Sequence, residues 1–371
     1  ASTTFTVDLT APTTTISSGP ANGSTVNTTS VTFGWGATDN LSAPANLQYS
    51  YSTNGGTTWS AWSTATSATV TYAEGTNVTF KVYAKDQAGN TGAQDTRTWN
   101  VDLTGPTTTI TGGPAEGSYT NQTGQTFTWS GTDNQTPSAN IQYSYSTDGG
   151  TTWSTWSTAT SATVTYAEGV GKTFKVKGRD SANNEGPVAT RTFNVDTTPP
   201  PITGITITPD ITSVTVNWNT TGDPSDSVVR YGTTSGVYTG TSTDPTMVEV
   251  HSRPVTGLTP ATRYYYVVES NDRAGNKSTS AENFFDTLPD TVPPDTTITA
   301  GPVEGGYVNN GSVTFNWTGS DNYTPTANLT YSYSTDGGTT WTAYSSAASA
   351  TVTYAEGANV KFMVRARDQF G

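Results

Sequence analysis

The sequence predicts an all-β protein made of antiparallel β-sandwich domains in tandem, arranged as a linear rod. Three observations predict it: a segment that recurs at a fixed spacing, short runs of alternating apolar and polar residues, and glycine-bearing turns between them. Residues 49–75 read YSYSTNGGTTWSAWSTATSATVTYAEG, and 143–169 and 331–357 repeat that text with few changes. Trp59 and Trp153 are 94 residues apart (153 − 59), and Trp341 lies 188 beyond Trp153 (341 − 153), twice that spacing. A unit of different sequence and nearly equal length therefore sits between the second and third copies. The chain of 371 residues is too long for one sandwich and suits domains of roughly 90 to 100 residues. The expected division is 1–11 as a lone strand, then domains at 12–104, 105–198, 199–290 and 291–371.

The strands are read from alternation. Val31, Phe33 and Trp35 alternate with polar residues, as do Phe127 and Trp129, and Val313, Phe315 and Trp317. A polar loop follows (TDN twice, SDN once), then a strand carrying Tyr49 and Tyr51 or their equivalents. Tight NGG or DGG turns come next at 54–56, 148–150 and 336–338, where glycine supplies positive φ. A short TW strand, an ATVTY strand and a strand such as Phe80 to Ala84 complete each copy. No helical period competes.

Composition supports a folded chain. Only 12% of residues are charged and 32% are hydrophobic, but 10 Trp, 19 Tyr and 11 Phe recur at fixed positions, and disordered chains are poor in aromatics. Thr, abundant here, suits the solvent face of a strand. The net charge of −13 is spread thinly, with no basic stripe for a phosphate backbone, which excludes nucleic acid as a partner. No apolar run reaches the length of a membrane-spanning helix. With no cysteine there is neither a disulfide framework nor a thiolate metal site. A first residue of Ala rather than Met fits a removed signal peptide or a fragment. An extracellular or cell-surface location is expected.

Two resemblances sharpen the fold. In 199–290, the strand Val214–Trp218 carries a Trp, and Leu258-Thr-Pro260-Ala-Thr262-Arg-Tyr264 contains a Tyr shortly after a turn. This unit resembles a fibronectin type III domain, which implies a core role for Trp218 and a tyrosine corner at Tyr264. The other three units resemble bacterial and archaeal immunoglobulin-like surface repeats. All four share an acidic turn, at Asp86 to Asn90, Asp180 to Asn184, Asp272 to Asn276 and from Asp368 onward.

The repeat phase makes the two termini unlike. Strands at domain ends read TRTWNVD at 96–102 and TRTFNVD at 190–196, and residues 3–8 read TTFTVD. Phe5, Trp99 and Phe193 keep the repeat spacing, so 1–8 read as a last strand without a preceding domain. Residues 291–371 read as a domain without its last strand. Two explanations fit: a window from a longer repeat protein, or donor-strand complementation, in which Phe5 and Val7 of one copy fill the core around Phe315, Trp317, Phe362 and Val364 of the next. The second builds a head-to-tail homopolymer.

Catalysis finds little support. His251 stands alone in the chain and reads as a strand-edge residue, and no nucleophile–base set, phosphate loop or dinucleotide fingerprint occurs. The chain is expected not to be an enzyme. Ser146 to Trp153 resembles the Asp-box of sialidases, itself a structural turn, and reads so here. Asp39, Asp133 and Asp321, with Glu74, Glu168 and Glu356, recur once per copy and read as turn and cap residues. No cofactor is expected, and calcium at the joints is a more serious candidate than catalysis, without a DxDxDG loop to support it: Asp8, Asp102 and Asp196 face the turns of Asp86, Asp180 and Asp272, and carboxylates from two segments suit Ca²⁺. Proline at the joints (Pro12, Pro106, Pro199, Pro200, Pro293, Pro294) offers a metal-free source of stiffness. Trp59 and Trp62, with Trp153 and Trp156, read as core residues or as a platform for glycans, each pair facing opposite ways. Asn22, Asn77 and Asn121 sit in glycosylation sequons, as does Asn316 within a strand. The functional expectation is a structural subunit of an extracellular filament, sheath or surface layer. The stalk or ligand-binding region of an adhesin, and accessory modules of a secreted hydrolase, are the alternatives.

Overall fold

The computed structural model describes residues 1–357 and 359–370; Gly371, the last residue of the predicted fourth domain, lies outside the described residues. Among those described, regular structure is β-strand apart from three single 3-10 turns. The chain forms two compact units, Ala1–Thr197 and Thr198–Gly371. No helix is long and apolar enough to cross a membrane.

The first unit holds two sandwiches of one design. In the first, Thr13–Ser18, Ser30–Thr38 and Ser67–Thr71 form one antiparallel sheet. The opposing sheet runs Thr25–Val26, Asp95–Val101, Gly75–Lys85, Gln48–Ser52. Alternation decides which face is buried: Val31, Phe33 and Trp35 point inward and Thr32 between them outward. Phe33 stacks on Phe80 of the other sheet at 4.0 Å, with Trp99 beneath; full burial of such a ring contributes roughly 1.5–3 kcal/mol. The second sandwich repeats this with Phe127 on Phe174 at 4.0 Å and Phe193 beside them. Its last strand, Ala189–Val195, lies between Gly169–Arg179 and the short parallel strand Tyr119–Thr120.

One glycine has a packing reason for its place. A Cβ at Gly186 would sit 1.7 Å from the Pro106 carbonyl oxygen, so only glycine lets the acidic turn lie against the first strand of its domain.

In the second unit, residues 199–290 pair Thr203–Pro209, Ser213–Asn219 and Val250–Thr256 against a larger sheet around Ser225–Gly232 and Arg263–Asn271. Trp218 is buried, and the Thr259 backbone N–H donates to the Tyr264 hydroxyl at 3.0 Å, the geometry expected of a tyrosine corner. The next domain pairs Asp295–Ala300, Ser312–Ser320 and Ser349–Thr353, but its second sheet has only Thr330–Ser334 and Met363–Arg367 among the described residues. Phe315 stacks on Phe362 at 3.9 Å as in the other copies. Phe362 and Val364 are nonetheless half-buried, where Phe174 and Val176 are fully buried.

Three expectations are corrected. Residues 1–11 form no strand; side chains of Asn40 and Asn90 reach them, but among the described residues no strand lies beside them for their backbone to pair with. The expected TW strand is irregular at 57–62, because side chains replace the ladder there: Ser50 Oγ donates to the Ser60 carbonyl, and Ser60 Oγ accepts from the Tyr51 N–H. Without strand alternation Trp59 and Trp62 do not face opposite ways. Both pack edge-on against Tyr83, at 4.6 and 4.9 Å.

Candidate metal centres

Each centre is built from three segments that the fold draws together. The first contributor is Asp102 or Asp290, each following a domain-final strand, or Asp8 at the equivalent repeat position. Each caps its own linker, accepting from the N–H two residues on, of Thr10, Thr104 and Val292 respectively. The second comes from the polar loop before the 3-10 turn. Asp39 accepts from Leu41 and Ser42, Asp133 from Gln135 and Thr136, and Asp321 from Thr324. The third opens the acidic turn. Asp86 accepts from the backbone and side-chain N–H groups of Asn90 at 2.8 and 2.7 Å, and Asp180 from those of Asn184 at the same distances.

The turn asparagine also ties the first contributor in. Asn90 Nδ2 donates to the Asp8 carbonyl at 3.0 Å, and Asn184 Nδ2 to that of Asp102 at 2.9 Å. As a result one carboxylate oxygen from each of Asp8, Asp39 and Asp86 lies within 4.8 Å of the others. The same holds for Asp102, Asp133 and Asp180, and for Asp290, Asp321 and Asp368. Two unit charges so placed repel by about 3 kcal/mol at an effective dielectric constant near 20.

Burial raises the cost. Asp102 is 0% exposed, and its carboxyl is pushed up to about 6, first by burial, opposed by the Thr104 N–H, and then by the charges of Asp133, Asp180 and Glu74. Among the described residues, four carboxylate oxygens in these centres are buried without a hydrogen-bond partner: Asp39 Oδ1, Asp102 Oδ2, Asp133 Oδ2 and Asp290 Oδ2. Buried charges are ordinarily paired or bound to metal. Around the second centre, Gln135 Nε2 donates to the Val101 carbonyl while its Oε1 is buried and unpartnered. Glu74 accepts there from the Thr104 hydroxyl and the Asn134 amide.

The sequence anticipated Asp8 with Asp86 and Asp102 with Asp180, and the structure brings both pairs together. It read Asp39, Asp133 and Asp321 only as caps. They do cap: Asp39 and Asp133 each through one oxygen, leaving the other buried without a partner, and Asp321 through both, to Asn322 and Thr324. Asp290 was missed, although it continues the spacing of Asp8, Asp102 and Asp196. Asp196 lies at the end of the first unit, in the position equivalent to Asp102, and Asp272 opens the acidic turn of the second unit's first domain, where Asn276 binds its carboxylate.

Other predicted residues have structural surroundings. His251 lies on the edge strand Val250–Thr256, but its ring is buried and stacked on Trp218 at 4.7 Å. Nε2 meets Thr220 Oγ1 at 2.9 Å and Nδ1 meets Ser227 Oγ at 2.8 Å, so the strand-edge reading holds for the backbone and fails for the side chain. The Asp-box turn is closed by Asp148, which accepts from Ser146 Oγ and from the Thr152 N–H and hydroxyl. Asn54 fills the same place through its Oδ1. Trp153, Trp156 and Trp341 belong to an outer layer, with Lys177 over Trp153, Arg179 over Trp156 and Arg365 over Trp341 at 4.2–4.8 Å. Cations thus occupy ring faces that a glycan platform would use. Asn22 and Asn77 are exposed, and Asn121 is half-buried. Asn316 is exposed, on the outer face of its strand. Glu168 meets the Thr197 hydroxyl, and Glu356 is exposed.

Residues 200–287 match the family model described as the purple acid phosphatase N-terminal domain. No curated protein matches the chain. Among solved structures, it is similar to three fibronectin domains (FN1–FN3) of chicken CNTN1 at 14% identity, over 75% of this chain and 99% of that one, with a TM-score of 0.33. It is similar at 17% identity to the fibronectin(III)-like modules of Clostridium thermocellum CbhA, over 50% of this chain and 94% of that one, with a TM-score of 0.31. The three N-terminal domains of the bacteriophage RB49 outer capsid protein Hoc match at 12% identity, over 76% of this chain and 100% of that one, with a TM-score of 0.36.

Proposed function

We propose that this chain is a non-catalytic, extracellular structural protein whose copies join head to tail by strand donation to build a filament, sheath or surface layer. One observation carries the reading. Phe5 and Val7 are 80% and 62% exposed, whereas Phe193 and Val195, their counterparts two repeats on, are 0% and 1% exposed. The complementary surface is in the fourth domain. Tyr307 and Val308 are exposed there, and they correspond to Tyr119–Thr120, which pairs with the last strand of the second domain. Met363–Arg367 corresponds to the other neighbour of that strand. Residues 3–8 of a second copy would lie between the two, with main-chain hydrogen bonds giving affinity and Phe5 and Val7 giving register. The contact does not close on itself and so extends without limit. An open strand edge beside apolar residues is otherwise an aggregation hazard.

Removing residues 1–8 is expected to leave monomers by size-exclusion chromatography under conditions in which the full chain forms polymers. Polymers of undiminished length would sink the reading. A second reading, an accessory module beside a catalytic domain or the stalk of an adhesin, is favoured by the family match at 200–287. It predicts that the full chain is monomeric as well.

A further inference from the structure

We propose that the three acidic centres lying within the compact units are Ca²⁺ sites, each holding one ion between a linker, a loop and a turn: Asp8, Asp39 and Asp86; Asp102, Asp133 and Asp180; Asp290, Asp321 and Asp368. Three lines of geometry converge on an ion. The carboxylate oxygens lie within 4.8 Å of one another, and two oxygens on one Ca²⁺, each 2.3–2.6 Å from it, are separated by about that much or less. The ligands are all hard oxygens, with no imidazole or thiolate, which suits Ca²⁺ rather than Zn²⁺ or Cu²⁺. Above all, Asp102 is wholly buried with an unpartnered Oδ2, and Asp133 Oδ2 beside it is unpartnered too. Caps and turns explain the partnered oxygens of these residues and leave those two unaccounted for.

The placement says what the ion does. In the second centre Asp102 belongs to the linker between the two sandwiches of the first unit, while Asp133 and Asp180 belong to the second sandwich. An ion there fixes the linker to the domain it enters. Asn184, bound to both Asp180 and the Asp102 carbonyl, holds the site's shape before the ion arrives. Proline stiffens the same joints without metal, so the two contributions separate by chelation.

The test uses the full chain, stripped with EDTA and dialysed, then titrated with CaCl₂ by calorimetry and followed by thermal unfolding. Saturable binding of about three ions or more per chain is expected, with an unfolding midpoint several degrees higher in Ca²⁺. The double variant Asp102→Asn, Asp133→Asn should bind one ion fewer. In EDTA it should unfold no lower than the parent, because it removes repulsion and keeps the side-chain shape. Absence of binding to the unmodified chain would overturn the proposal. So would an equal midpoint rise in NaCl of matched ionic strength, which would make the effect charge screening.

Discussion

His251 shows how one side chain couples its domain to pH. Its ring is stacked on Trp218 and bridged to Thr220 and Ser227. Burial pulls its pKa below the ordinary value of 6.5, against a smaller opposing pull from Asp226. The unfolded chain therefore takes up this proton first, so the stability it confers is complete above about pH 6.5 and declines as pH falls below that value. Hydrogen exchange in the strand Ser213–Asn219 should accelerate between pH 7 and 5 after correction for the intrinsic rate, and the slope should vanish in His251→Gln. An unchanged slope in that variant would assign the pH response to another group. Buried Asp102 differs in kind, since its neighbours are carboxylates and its Oδ2 has no hydrogen-bond partner.

At the scale of elements, the strands and the glycine turns were legible because alternation and positive φ are local properties. Phe33, Phe127 and Phe315 all lie where their alternation puts them. The segment 57–62 was not legible, since it is held through the Ser50 and Ser60 hydroxyls and a backbone bond from Ser60 to Tyr51, and no periodicity records that. The same limit hid the full acidic centres. Asp133 announces its cap through the spacing to Gln135 and Thr136, but its approach to Asp102 depends on how the linker folds back. Asp290 could have been found from the repeat spacing alone. The Asp-box turn gives an elementary test of substitution. Asp148→Ala loses the acceptor for Ser146, the Thr152 N–H and the Thr152 hydroxyl, and should lower the thermal midpoint of its domain. Asp148→Asn should be close to neutral, because Asn54 already occupies that place in the first copy. Equal losses in the two variants would show that charge rather than hydrogen bonding closes the turn.

For the whole molecule, repetition means that one strand sequence suits several domains. The core that takes Phe193 and Val195 in the second domain is rebuilt around Phe315, Trp317, Phe362 and Val364 in the fourth, and Phe5 and Val7 carry matching side chains. The same interchangeability exposes such a chain to mispairing between neighbouring copies while it folds. The most direct measurement of the central claim is mass photometry of the full chain beside a variant carrying a second copy of residues 189–196 appended through a short glycine linker after Gly371. If the fourth domain accepts residues 3–8 of another copy, the unmodified chain grows into a ladder of oligomers and the appended strand, filling the groove from its own chain, holds the variant at one subunit. Identical size distributions for the two proteins would contradict strand donation.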